Sequence, residues 1–333
     1  MNRIFNKVCP VVLLCLLSGI LIRGYSQDPL IDKLQMTETV PGDLLATRSI
    51  ALYDPSYKKS ELEEIQKTFA QIGIDTEAYI EKDVILAGRD FTGSYANYFI
   101  TREIKYLVIL DKVEKAYRMV VTPFNNTPAL VDANQIAWMV THSSLREMLM
   151  AAYRNSWISQ KKQNLLINDF PETEVKVNTI TGRRSEFFAI DLKVDALAVP
   201  AFGEAKADTI LYRMFKEHYP FKWKLMPPGT SEEEMRKKGF QYVLTEIQTR
   251  GIAAKQLLGY DLTKAESAYV STTFPDGTAQ LRAIPSETMI YKFYAKHIPS
   301  GNIFLGTRWD ADTTWEQALK NYLKGFKIEL KIE

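Results

Sequence analysis

The chain has 333 residues, 46% hydrophobic and 11% aromatic, with 42 Lys+Arg against 40 Asp+Glu. A normal apolar fraction at near-zero net charge excludes disorder as the dominant state and leaves room for about two domains with cores of their own. It also excludes the strongly basic domain by which nucleic-acid binders usually show themselves, so no nucleic-acid partner is expected.

The first 26 residues differ from the rest. Arg3 and Lys7 precede an apolar run from Val8 to Ile22, and small residues follow at Gly24 and Ser26. This is the layout of a signal peptide cleaved after Ser26. The run is shorter than the ~20 residues that span a bilayer, which disfavours an uncleaved anchor. Cys9 follows Val8 and Cys15 follows Leu14, so neither has the small preceding residue that bacterial lipid attachment requires. Cleavage leaves 39 basic and 40 acidic residues, a net charge of −1, and no thiol. No later stretch is apolar for long enough to span a membrane. The expected product is exported, either periplasmic or outer-membrane-associated on the periplasmic side.

Along residues 27–158, a buried strand is expected at Ser49 to Tyr53, stopped by Asp54-Pro55. A helix from Ser60 follows, with Ser60 to Glu63 as a capping box and Leu62, Ile65, Phe69 and Ile72 at helical spacing up to Gly73. A strand around Ala78 to Ala87, a helix from about Ser94 to Glu103 and an apolar strand Tyr106 to Leu110 come next. Tyr117 to Thr122 returns as a hairpin, and a long helix is expected from Ala133 to about Tyr153.

Residues 159–185 are rich in Lys, Gln, Asn and Thr and contain Pro171 and Gly182, so they read as a linker. The second domain, 186–333, is expected to run through a strand at Phe187 to Val194, a helix from about Glu204 to His218 and a strand at Phe221 to Met226. A capped helix from Ser231 precedes a strand Phe240 to Ile247. Hairpins then turn at Pro275-Asp276-Gly277 and at Pro299 to Asn302, before a final helix from Thr313 to about Gly325. The two halves share their order of elements, and Tyr106-Leu107-Val108 matches Tyr242-Val243-Leu244. The fold class is therefore α+β: two tandem domains, each a mixed sheet with helices packed on one face.

From Glu204 to Phe326, the helix, short strand, helix ending in Lys237-Lys238-Gly239 and strand Phe240 to Leu244 resemble the small α+β domains of the amino-terminal part of TolB and of CsgG-like secretion proteins. The resemblance implies partner-protein binding without catalytic residues. The fused first half, the missing propeller repeats and the missing membrane hairpins depart from those families.

Gly88 to Gly93 has the spacing of a phosphate loop, but Ser94 stands where its Lys belongs, so an ordinary turn is expected. His142, His218 and His297 are too far apart in sequence for a metal motif, and no cofactor or metal is expected. The most distinctive segment holds Arg308, Trp309, Asp310, Asp312 and Trp315 at a strand-to-helix junction. It is either a stacking platform with polar contacts or a capped helix start. On the strand from Met289, Lys292, Tyr294 and Lys296 share one face, an exposed stripe for a partner or a protective edge.

The favoured function is an exported, non-catalytic protein-binding or envelope-assembly module, with another envelope protein or a second copy as partner. One alternative is a glycan-active hydrolase or transferase using Asp310, Asp312 or Glu316. Another is a small-molecule carrier with its ligand between the two halves.

Overall fold

In the first half, alternating side chains build a sheet that is apolar on both faces. Its strands are β1 (Leu34–Thr37), β2 (Arg48–Tyr53), β3 (Asp75–Glu81), β4 (Ile104–Val113), β5 (Ala116–Pro123) and β6 (Gln135–His142), in the spatial order β1-β6-β5-β4-β2-β3. Tyr106, Val108 and Leu110 of β4 face one cluster, while Leu107 and Ile109 face the other. The first cluster is covered by α1 (Lys59–Ile72) and α4 (Leu145–Ser159). The second is covered by α3 (Arg89–Thr101), which follows the single turn α2 (Lys82–Ile85). The computed structural model describes residues 28–159, 164, 166–173, 175–263 and 270–332. The expected signal peptide with both cysteines, and the start of the expected strand at 265–274, lie outside them.

The second half contains β7 (Arg184–Ser185), β8 (Leu197–Pro200), α5 (Ala205–His218), β9 (Trp223–Met226), α6 (Glu232–Lys237), β10 (Tyr242–Arg250) and α7 (Gly251–Leu257). A separate two-stranded sheet, β11 (Val270–Thr273) with β12 (Gln280–Ala283), precedes β13 (Met289–His297), β14 (Ile303–Phe304) and α8 (Trp315–Glu329). The large sheet runs β7-β14-β13-β10-β8-β9. Strand for strand, this is the order of the first sheet with the same parallel and antiparallel pairings. The α+β class holds, with helices on both faces of each large sheet instead of one.

Four expected elements are corrected. The strand expected from Ala78 to Ala87 ends at Glu81, and Lys82–Ile85 form the single turn α2. Ala133 to Tyr153 is not one helix. Residues 135–142 form β6, with Ala137 and Trp138 buried towards opposite clusters, and α4 starts only after Ser144, whose hydroxyl accepts from Glu147 N at 3.3 Å. Ile136, Met139 and Val140 fit a helical spacing, but in β6 Met139 and Val140 pack on opposite faces of the sheet and Ile136 is exposed, so the spacing pointed to the wrong element. Phe187 to Val194 is not a strand. It carries a 3₁₀ turn at Ile190–Lys193 with Phe187, Ile190 and Val194 exposed, and the buried strand is β8. The capping position of α1 is Lys58, whose N–H donates to Glu61 at 2.7 Å, not Ser60.

The expected linker is tied to the first sheet. Glu172 bridges Ala78 beside β3, where Tyr79 N donates to Glu172 O at 2.8 Å and Glu172 N to Glu77 O at 3.0 Å. Arg184 and Ser185, within the expected linker, already belong to the second sheet.

Candidate functional site

The two halves meet where β10 has an incomplete edge. β8 has four residues and pairs with β10 only at Tyr242 and Val243, leaving the remaining N–H groups on that side to find acceptors. The segment between α2 and α3 supplies one: Gln248 N donates to Ala87 O at 2.7 Å. Gly88 is required there, because a Cβ would stand 2.7 Å from the Glu246 carbonyl oxygen. Charges lock the junction. Arg250 binds Asp83 at 2.5 Å, Glu287 at 2.6 Å and also Glu81, while Lys296 binds Asp90 and Glu232 at 2.9 Å each. Burial holds the Glu81 carboxyl above its ordinary range although Arg250 pulls it down.

Two adjoining cavities open beside this junction, of about 900 and 810 Å³, and they share Tyr53, Tyr79, Glu81 and Thr173. They lie at the carboxyl ends of β2 and β3, the place where open sheets with parallel strands commonly receive ligands. The first runs between α1 and residues 169–173, and the second runs under residues 175–180 to Gln256 and Leu257 of α7. Their walls are held in place. Tyr79 donates to Gln66 Oε1 at 2.9 Å, and Gln66 Nε2 donates to Asn168 O at 2.8 Å. Burial pushes the Tyr53 and Tyr95 hydroxyls up to about 12, so both stay neutral. Phe170 stands at the rim of the first cavity, 91% exposed.

The residues singled out in the sequence occupy other ground. Lys292, Tyr294 and Lys296 do share one face of β13, but the exposed stripe is corrected: Lys292 and Tyr294 are fully buried and Lys296 is consumed by its two carboxylates. Lys292 Nζ reaches Asp310 Oδ1 at 2.8 Å and the carbonyls of Phe293 and Leu305 at 2.7 and 2.8 Å. Asp312 is buried too, held by Arg282 and by Thr313 N, both at 2.8 Å. Its backbone bridges Tyr291 and its other oxygen meets Thr273 and Asn321, so it ties the small sheet to β13 and α8. Paired in this way, Asp310 and Asp312 form neither an open carboxylate pair nor a solvent-facing cap. Trp309 is no free platform, since Tyr260 meets it edge-on at 5.1 Å and buried Lys255 lies 4.8 Å over its ring. Trp315 packs on Phe202 at 4.8 Å, and Arg308 is exposed. The helix α8 is capped by Thr314, one residue beyond Thr313.

The phosphate-loop spacing is likewise broken by the fold, because Gly93 lies inside α3 and Gly88 faces the Glu246 carbonyl. His142 and His297 end strands and His218 ends α5; among the described residues no group of His, Cys, Asp and Glu is placed to hold a metal ion. Among them too, no helix is long and apolar enough to cross a membrane.

Sequence reasoning passed over Tyr53, Tyr79, Glu81, Phe170 and Arg250. The available signals were weak: aromatic residues at strand ends, and Phe170-Pro171 inside an otherwise polar stretch. Neither a protein-family model nor a curated protein matches this chain.

Proposed function

We propose that the protein is an exported, non-catalytic binding module of the cell envelope, and that it holds an extended segment of another envelope protein in the cleft over β2 and β3. The observation that carries this reading is Phe170, exposed at the rim of a cavity walled by Tyr53, Tyr57 and Tyr79. Tyrosine rings offer large amphipathic contact area at a low cost in side-chain entropy, and buried aromatic anchors dominate protein interfaces. The rim carries Lys59 and Lys67 as well as Glu63 and Asp169, a mixed charge that suits a polypeptide better than a uniformly charged polymer. The resemblance of the second half to partner-binding domains points the same way, and export rests on residues 1–26.

A photo-crosslinking residue at position 170, activated in intact cells, tests the reading. One reproducible heterologous adduct is expected, lost when Tyr79 is changed to Ala and absent with the same crosslinker at Leu281, which is exposed elsewhere. No adduct, or only an adduct of twice the chain mass, overturns it. Amino-terminal sequencing of the exported chain is expected to begin at Gln27, and a retained Met1 would remove cleavage from the proposal.

A further inference from the structure

A third cavity, of about 280 Å³, lies at the junction on the second-half side, at the end of β8 and against β10. Its walls are mostly apolar: Phe202, Leu211, Met235 and Phe293 line it. Two residues of opposite charge type also line it, and among the described residues neither has an ionic partner. Glu246 Oε2 is buried without a hydrogen-bond partner. Arg89 donates to the Thr230 carbonyl at 2.8 Å and has no carboxylate within ion-pair distance among the described residues. The other charged groups of the cavity are already engaged, since Asp90 and Glu232 both bind Lys296.

The first half shows what this place looks like when it is purely structural. Aligning β4 with β10 at Tyr106 and Tyr242 puts Leu110 at the position of Glu246 and Met119 at that of Phe293. Leu110 and Met119 are fully buried in one apolar cluster with Tyr57 and Ile65. The second half replaces that filled core with a space and an unpaired carboxyl. A buried carboxyl without a partner is costly to the fold, which makes it a poor packing choice and a good ligand contact.

We propose that this cavity binds a small apolar α-amino acid, with its ammonium group on Glu246, its carboxylate on Arg89 and its side chain among Phe202, Leu211, Met235 and Phe293. The volume is just below the roughly 300–1,000 Å³ usual for ligand pockets, which suits a single amino acid better than a peptide or a sugar. This site is separate from the tyrosine-lined cleft, so either proposal can fail without the other.

Titration calorimetry on the exported chain tests it with L-leucine, isopentylamine and 4-methylpentanoate as probes. L-leucine is expected to bind, and the two probes that lack one charge each should bind about ten- to a hundredfold more weakly, the worth of one charge-assisted hydrogen bond. Glu246→Gln, which keeps the shape, is expected to weaken L-leucine by a similar factor, whereas Arg89→Lys, which keeps the charge, should weaken it less than Arg89→Met. No heat with L-leucine, equal binding of the amine or of the acid, or unchanged affinity in Glu246→Gln overturns the proposal. The wild-type ligand series decides the question even if a variant folds poorly.

Discussion

The two sheets share strand order and pairing direction but differ in how their fourth strand returns. β4 turns directly into β5 through Glu114 and Lys115, whereas β10 and β13 are separated by α7 and the small β11–β12 sheet. The consequence is visible one residue from the matched Leu110 and Glu246. In the first half, Arg118 meets its carboxylate directly across the strands, binding Asp111 at 2.9 and 2.5 Å. The matching residue in the second half is Lys292, whose cross-strand neighbour is Ile247. Its counter-charge comes instead from Asp310, in the loop after β14 that the small sheet covers. The same topology therefore supports a surface-near ion pair in one half and a fully buried, long-range one in the other.

That difference sets the largest expected effect. Lys292→Met leaves Asp310 as an uncompensated buried carboxyl and should cost about 3–5 kcal/mol in urea unfolding. Arg118→Met should cost less, about 1–3 kcal/mol, because Lys82 lies 3.9 Å from Asp111 and stays behind. Equal losses would break the comparison.

The next effect is on pH. Burial raises the Glu246 carboxyl from 4.5 to about 7. A raised folded-state value means that this site contributes no penalty below about pH 4.5 and that stability is lost as pH rises through 7. Glu246→Gln removes the penalty, so it should gain about 2–3 kcal/mol relative to the native chain between pH 5 and pH 8. Denaturation at the two values measures it, and a gain independent of pH would sever the link to ionisation. Leu110 carries no ionisable group, so Leu110→Met should show no comparable dependence.

The smallest effects concern glycine. Gly88→Ala pushes a Cβ against the Glu246 carbonyl and should cost about 1–3 kcal/mol, read as a lower melting temperature. Gly93→Ala, in the interior of α3 with nothing near its Cβ, should instead gain about 0.5–1 kcal/mol. A neutral Gly88→Ala would show that the halves are not held together through that close approach.

Where local chemistry was decisive, the fold was legible. Ser231 and Glu234 form the expected reciprocal cap at 3.2 and 3.1 Å, Gly73 ends α1 with a positive φ of 107°, and β4 pairs with β5 as read. Legibility failed where a strand buried on both faces carried apolar residues at a helical spacing, as along 135–142, and where exposure decided, as at Phe187 to Val194. The candidate site was less legible still. Arg308 to Trp315 stood out by composition, yet Trp309, Asp310 and Asp312 serve the packing, because an aspartate or a tryptophan close to a core must find partners there, here Lys255, Lys292 and Arg282. The cleft residues stood out only weakly, as aromatics at strand ends and a phenylalanine in a polar stretch.

By itself, the sequence determined the α+β class, most of the strands and helices, and the match between β4 and β10, because capping, turn chemistry and apolar alternation act within a few residues. Only the tertiary structure decided which charges are spent and which are free. Lys292 and Lys296 look alike along β13, and Asp310 and Glu246 are equally plain acids in the chain. Whether each meets a partner depends on residues 18 to more than 200 positions away, and on the short β8 edge that lets the first half dock onto β10.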